Sequence, residues 1–409
     1  MKIWGVSFGL LVAALLGMAY GRKDPNEPSA LYLTWLRDPT TTMTVQWQDG
    51  QKNALVSYQK EGDAYWQVAE GTSYLLNKGQ LLTSDLYVHT VELVQLLPDT
   101  NYKFHLGKES ASSRFRTMPQ KTDRPVHFVV GGDLYQDDFF RFKKMNGKVA
   151  KMDPDFIVLG GDIAYTRGHR AVLKGRYFEI QRWQTFFKAW KEQLVTSDGR
   201  LIPFVIAVGN HDLPSKRVDP KKEPVLFYEL FALPEQGTPF RALDFGDYLS
   251  FFLLDTGHTV PIIGKQTEWL QKALAERKGT KAHQMAVYHV AAYPSFYAYR
   301  KGTPEKIRQN WIPLFDQYQV KTVFEHHDHA YKRTFALKND KVDPTGTLYL
   351  GDGAWGVSPR VPSEANEVWY LAKTASKNYV FLVSLQAEKG VVQAIDIDGN
   401  IFDEVAIGK

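Results

Sequence analysis

The chain has 409 residues, 44% apolar and 23% charged, a globular composition that excludes a disordered protein and points to two domains. Fifty basic and 45 acidic residues leave a net charge of +5 with no long Lys/Arg run, which suits small anionic substrates and not nucleic acid. There is no cysteine, so disulfides, thiolate metal sites, thiol nucleophiles and cysteine-linked lipid anchors are excluded.

The chain opens with MKIWGVSFGLLVAALLGMAYG, one lysine ahead of an apolar run, with Ala19 and Gly21 flanking Tyr20. This is the pattern of a secretory signal peptide over residues 1–21. No second apolar run approaches membrane length. The mature protein is therefore expected to be exported, periplasmic or secreted, with no transmembrane segment.

Residues 28–118 read as short strands: LYLTWL (31–36), MTVQWQ (43–48), LVSYQK (55–60), YVHTVELVQL (87–96) and NYKFHLG (101–107). Turn residues such as DPTT, DG, EGD and PDT separate them and no helical pattern intervenes, which predicts an antiparallel β-sandwich. The stretch HTVELVQLLPDTNYKFHL followed by SSRFRTMP resembles a fibronectin type III module, a likeness of fold that says nothing about function. His89 and His105 fall inside these strands and read as ordinary sheet residues.

After PQKTDRP (119–125) the texture changes. VHFVVGGD, DFIVLGGD, PFVIAVGNHD, YLSFFLLDTG, QMAVYHV and KTVFEHHDH are apolar runs that end in polar residues. Helical patterns lie between them at roughly 138–151, 171–195, 265–277 and 304–318. The alternation predicts an α/β domain over 126–400, closing in the hairpin-like strands TLYLGDGAWG, NYVFLVSLQAE and GVVQAIDIDG.

Those polar strand ends carry the chemistry, because ligands of open α/β sheets gather outside the carboxyl ends of the strands. One run ends in Gly132-Asp133, the next in Gly161-Asp162 and a third in Gly209-Asn210-His211-Asp212. A later run ends at His289 and another at His327-Asp328-His329. VFEHHDHAYKR (323–333) holds three of the eleven histidines, a clustering that metal binding explains better than packing does. Gly-Asp alone is a common turn, and a lone histidine is usually a core residue. Five successive strand ends of this kind are not explained that way. Carboxylates, an amide and imidazoles without a thiolate suit Fe, Zn or Mn. They are too many for one ion and fit two that share a carboxylate, about 3.5–4 Å apart, a pair that clamps both oxygens of a displacement at phosphorus.

The series GDL, GDIAY, GNHD, His289 and HDH resembles the calcineurin-like metallophosphoesterase superfamily, and within it the purple acid phosphatases, over residues 126–360. Asp133 is followed by Leu134 and Tyr135, with no histidine, and Tyr165 stands three residues after Asp162 as in the GDxxY signature. The resemblance implies a layered α/β/β/α catalytic domain behind the sandwich. It also implies hydrolysis of phosphate esters, foremost monoesters, of small molecules or peptides. One Fe(III) would be held by Asp133, Tyr165, His329 and a bridging Asp162. A divalent Zn, Fe or Mn would be held by Asp162, Asn210, His289 and His327, and a metal-bound hydroxide would be the nucleophile. His211 would hydrogen-bond the phosphate or protonate the leaving oxygen, with Asp212 either orienting it or capping the loop. His327 and His329 alternate along an extended segment and so share one side. His326 points away and stands where the family usually has glycine.

The sequence departs from the family beyond His289, where a further histidine is common: AYPSFYAYRK places Ala298 and Tyr299 there. Tyr297, Tyr299 or Arg300 are candidates to meet the substrate instead. Arg167, His169 and Arg170, after the second motif, are candidates to meet a phosphate. Two other functions fit the same residues. One is a phosphodiesterase or nucleotide-directed hydrolase, although a related phosphodiesterase family uses a cysteine ligand that this chain lacks. The other is a non-catalytic surface-binding protein, whose mark would be a lost ligand, and all seven are present.

Overall fold

The computed structural model describes residues 28–76, 85–107, 111–136, 138–167, 175–215, 218–220, 222–235 and 237–408. The signal-peptide pattern of residues 1–21, and His169 and Arg170, lie outside the described residues.

The first unit is a sandwich of two antiparallel sheets. One runs Ala30–Thr34, Met43–Asp49, Tyr87–Leu93, Thr72–Leu75, and the other Gln67–Glu70, Leu55–Lys60, Asn101–Leu106, Ser113–Arg116. Gln67–Glu70 and Thr72–Leu75 are short edge strands that the sequence reading lacks, because each leaves most of its side chains at least partly exposed and shows no apolar alternation. Tyr102 Oη accepts the N–H of Leu97 at 2.9 Å, closing the turn through PDT as a tyrosine corner does. His89 is a core residue: its ring stacks on Trp47 at 4.6 Å, and its nitrogens meet Asp49 Oδ1 (3.0 Å) and Ser73 Oγ (2.9 Å).

The second unit is built on two facing sheets. The six-stranded sheet has the order Phe204–Ile206, Phe156–Leu159, Val126–Gly131, Tyr379–Gln386, Lys389–Asp396, Ile401–Gly408, its first three strands parallel. The seven-stranded sheet has the order Arg241–Phe245, Leu249–Leu253, His283–Val290, Thr322–His326, Leu348–Gly351, Tyr331–Thr334, Leu371–Ala375. Side-chain alternation sets the layers. Phe128 and Val130 join Met285 and Val287 in the core between the sheets. Val129 faces the helices Phe139–Ala150 and Arg176–Gln193, while Ala286 and Tyr288 face Thr267–Arg277, Thr303–Asn310 and Ile312–Tyr318. The result is the α/β/β/α arrangement. The single helix expected over 304–318 is broken at Trp311, because Pro313 sits in the first turn of the second piece and has no N–H to continue the ladder.

The two units share one hydrophobic core. Trp35 of the sandwich lies edge-on to Phe156 (6.0 Å) and Phe245 (5.6 Å), and Tyr32 stacks on Phe187 at 4.3 Å. Buried Arg241 donates from Nη1 to the carbonyl of Trp35 at 2.6 Å.

Candidate metal centre

Loops following the parallel strands of both sheets meet at one rim, and the side chains at their starts form two adjoining groups. In the first, Tyr165 Oη lies 3.2 Å from Asp133 Oδ1 and 3.0 Å from His329 Nε2, and the last two are 3.1 Å apart. In the second, His289 Nε2 lies 3.2 Å from each of Asn210 Oδ1, His327 Nδ1 and Asp162 Oδ2. All seven predicted ligands are thus brought together, and Asp162, His289 and His327 offer atoms within 4.8 Å of one another.

The backbone is bent to achieve this. Asp133, Asp162, Tyr165, His327 and His329 have φ between 48° and 80°, five of the twelve non-glycine residues with positive φ among those described. Left-handed backbone is uncommon outside glycine and concentrates at functional sites. Glycine makes room where loops touch: a Cβ at Gly209 would lie 2.1 Å from Asp162 N and 2.3 Å from Asp162 Oδ1. His327 N–H donates to Asp133 Oδ2 (3.0 Å), so the first strand end holds the histidine loop. His326 faces the other way. Its ring lies in a slot against Gly132 and Gly160, with Nδ1 at 3.1 Å from Tyr288 O.

The electrostatics suit a cation. Burial alone would raise the Asp162 carboxyl, but His289, with His211 and His327 nearby, holds it far below the usual range. Burial pulls His289 down while Asp162 and Asp133 push it up to about 9, which shows how strongly the two buried carboxylates draw positive charge to this spot. Burial drives His327 down to about 3, which keeps it neutral, the form a metal ligand needs. Asp162 Oδ2 is buried and, although 3.2 Å from His289 Nε2, accepts no aligned hydrogen bond. A buried charged oxygen of this kind calls for a pairing cation or metal. The residues fit such ions.

His211 stacks on Tyr165 (4.7 Å, 21°), with Nδ1 at 2.6 Å from Arg167 O. The carbonyl of Arg167 therefore orients it, and Asp212 has the other of its two expected tasks. Asp212 Oδ1 accepts Ile163 N–H (2.7 Å) and Ala164 N–H (3.3 Å), while Oδ2 accepts Gly209 N–H (3.0 Å), clamping the second loop to the third. Burial and the charge of Asp162 push Asp212 up to about 7.

An open cleft of about 920 Å³ leads away from the second group, lined by Arg167, Asn210, His258, Ile262, Tyr297 and His327 among others. Ala298 and Lys301 line it, whereas Tyr299 and Arg300 do not. Tyr299 instead lies under the guanidinium of Arg308 (3.5 Å) and stacks on Tyr370 (5.2 Å), and Arg300 is exposed.

Two features have no counterpart in the sequence reading. His258, from the loop after Leu249–Leu253, packs edge-to-face on His289 at 5.8 Å, and burial pushes it down to about 4. Its signal was available: YLSFFLLDTG ends in polar residues as the ligand-bearing runs do, with His258 next. The second is Lys332, wholly buried and paired with Glu325 and with Asp352 (2.8 Å). Glu325 Oε1 accepts Ala292 N–H (2.7 Å), and Asp352 Oδ2 accepts Ser295 N–H (3.0 Å). Lys332 thereby ties the loop after His289 to the segment after the histidine pair.

Residues 28–118 match the family model of the purple acid phosphatase N-terminal domain, and residues 104–331 match that of the calcineurin-like phosphoesterases. The chain is 27% identical to purple acid phosphatase 21 of Arabidopsis thaliana over 318 residues, 73% of this chain and 65% of that protein. It is 22% identical to acid phosphatase type 7 of Homo sapiens over 420 residues, 93% of this chain and 88% of that one. In fold it resembles purple acid phosphatase PPD1 of yellow lupin, with a TM-score of 0.77 at 16% identity over 94% of this chain and 75% of that chain. PhoD superposes less closely, with a TM-score of 0.64 at 12% identity over 95% of this chain and 90% of that chain. The chain belongs to the calcineurin-like phosphoesterase family, carries a purple acid phosphatase N-terminal domain, and is a phosphoester hydrolase.

Proposed function

We propose that this protein is an exported phosphatase that cleaves phosphate monoesters of small molecules or peptides at an Fe(III)–M(II) pair, M being Zn, Fe or Mn. The observation that carries the reading is the two adjoining ligand groups, one containing a tyrosine. Asp133, Tyr165 and His329 would hold the ferric ion and Asn210, His289 and His327 the divalent ion, with Asp162 shared. When bound, the two ions would polarise the phosphoryl oxygens and lower the pKa of water, which is Lewis-acid chemistry.

The chain's own groups orient the ester. His211, held at Nδ1 by Arg167 O and stacked on Tyr165, would contact a phosphoryl oxygen. Arg167, Lys301 and Lys306 outnumber Asp219 and Asp328 in the cleft lining, a balance that suits a doubly charged monoester over a singly charged diester. Export rests on the pattern of residues 1–21. No helix among the described residues is long and apolar enough to cross a membrane.

Metal analysis, a visible spectrum and paired monoester and diester assays test the proposal. It predicts two metals per chain, a broad visible band lost in Tyr165→Phe, and a higher kcat/KM on the monoester. An iron-containing but colourless wild type would remove Tyr165 from the ligand set.

A further inference from the structure

His258 is held in place with care. Its backbone N–H donates to Asp255 Oδ1 (2.8 Å), and its Nε2 lies 2.9 Å from Thr256 Oγ1. That hydroxyl accepts the N–H of Val290 (3.3 Å), which continues the strand bearing His289. Thr256 is 2% exposed, and among the described residues the acceptor within its reach is His258 Nε2. A buried hydroxyl donates where it can. The ring then carries its own proton on Nδ1, which no described protein atom meets. His258 lines the cleft together with Asn210, His327, Pro261 and Ile262, and its ring packs on that of His289 at 5.8 Å.

An ester whose phosphoryl group lies over the two ligand groups must lead its alcohol part out along this cleft. We propose that His258 donates a hydrogen bond from Nδ1 to the leaving oxygen of the bound ester. The inference rests on the phosphatase reading above. In hydrolysis the oxygen of water bonds to phosphorus, and the bond from phosphorus to the alcohol oxygen breaks. Its electron pair stays on the alcohol oxygen, and a proton from the same water, passed through solvent, completes the alcohol. The hydrogen bond strengthens as negative charge grows on the leaving oxygen, so it favours the transition state over the bound ester. No change in the protonation of His258 is needed. His211, on the tyrosine side, serves the phosphoryl oxygens instead.

The test uses the metal-loaded protein, His258→Ala, His258→Asn and His211→Ala. Each is assayed on aryl phosphates whose phenols differ in acidity and on one alkyl phosphate. Loss of one such donor costs about 10²–10³-fold in kcat. That loss is expected for His258→Ala on the alkyl phosphate and the least acidic phenols, and it should shrink toward the most acidic phenol. His258→Asn keeps a donor and should recover part of it. Affinity for inorganic phosphate, measured by titration calorimetry, and metal content should match the wild type. His211→Ala should slow all esters by a similar factor and weaken phosphate binding. A uniform loss across leaving groups, weaker phosphate binding or lost metal in His258→Ala would each overturn the assignment. If the wild type cleaves diesters and not monoesters, the monoester reading fails, and the same comparison on aryl diesters still decides the role of His258. A wild type that cleaves neither overturns both.

Discussion

The imidazole of His326 occupies the place of a side chain at Gly160: a Cβ added there would lie 1.9 Å from its Cε1. The glycine leaves the room and the ring fills it. Gly160→Ala is therefore expected to destabilise the fold by about 1–3 kcal/mol, the usual cost of overpacking. Adding His326→Ala should offset part of that loss, because residues in contact are not additive. Urea midpoints of the two single variants and the double variant measure this. Strict additivity would mean that ring and glycine do not compete for space.

The three neighbouring histidines should separate in a metal assay. His327→Ala and His329→Ala are expected to lose an ion and nearly all activity. His326→Ala, which touches no ligand atom of either group, should keep both ions and lose about 10–100-fold at most, as residues supporting a metal site do. Equal metal content in all three variants would count against the ligand assignment.

His326 also sets a dependence of stability on acid. Burial drives it from its ordinary 6.5 down to about 4. Between those values the unfolded chain binds a proton that the folded chain refuses. The stability contributed by the neutral ring is therefore complete above pH 6.5 and lost as the pH falls toward about 4. His326→Asn should flatten that fall. The other buried histidines are common to both proteins and cancel in the comparison. Parallel curves of unfolding midpoint against pH would show that His326 is not held neutral.

Lys332→Met should be among the most damaging changes away from the ligands. It strands Glu325 and Asp352, both wholly buried, without their cation. Removing one partner of a buried ion pair costs about 3–5 kcal/mol. Burial already pushes Asp352 well above the usual carboxylate range, and Lys332 opposes the shift. A fall in thermal midpoint of only a degree or two would mean that the carboxyls are neutral without the lysine.

Much of this site was legible because strand ends are local. Gly132-Asp133, Gly161-Asp162 and Gly209-Asn210 each announce an apolar run that stops at a polar group, whereas His327 and His329 lie beyond their strand in left-handed backbone and reach the two groups that way, not by the alternation of an extended segment. What escaped depends on contacts between distant segments. Nothing near His211 shows that its partner is the carbonyl of Arg167, 44 residues earlier, and not the adjacent Asp212. His258 reaches the centre because Leu249–Leu253 pairs in parallel with His283–Val290, a neighbour relation that no motif records. The edge strands escaped for the opposite reason: being largely exposed, they carry little apolar pattern to read.

The junction at Trp35 bears on how this molecule can be divided. Residues 28–118 supply none of the seven ligands, yet Trp35 braces Phe156, the first residue of the strand that leads to Asp162. A protease cut or an engineered break within residues 119–125 would bare aromatic rings on both fragments. The sandwich behaves as a foundation stone and not as a tethered accessory, so a catalytic fragment shortened at this junction would expose Phe156 and Phe245 and is a poor starting point for crystallisation or for exchanging front domains.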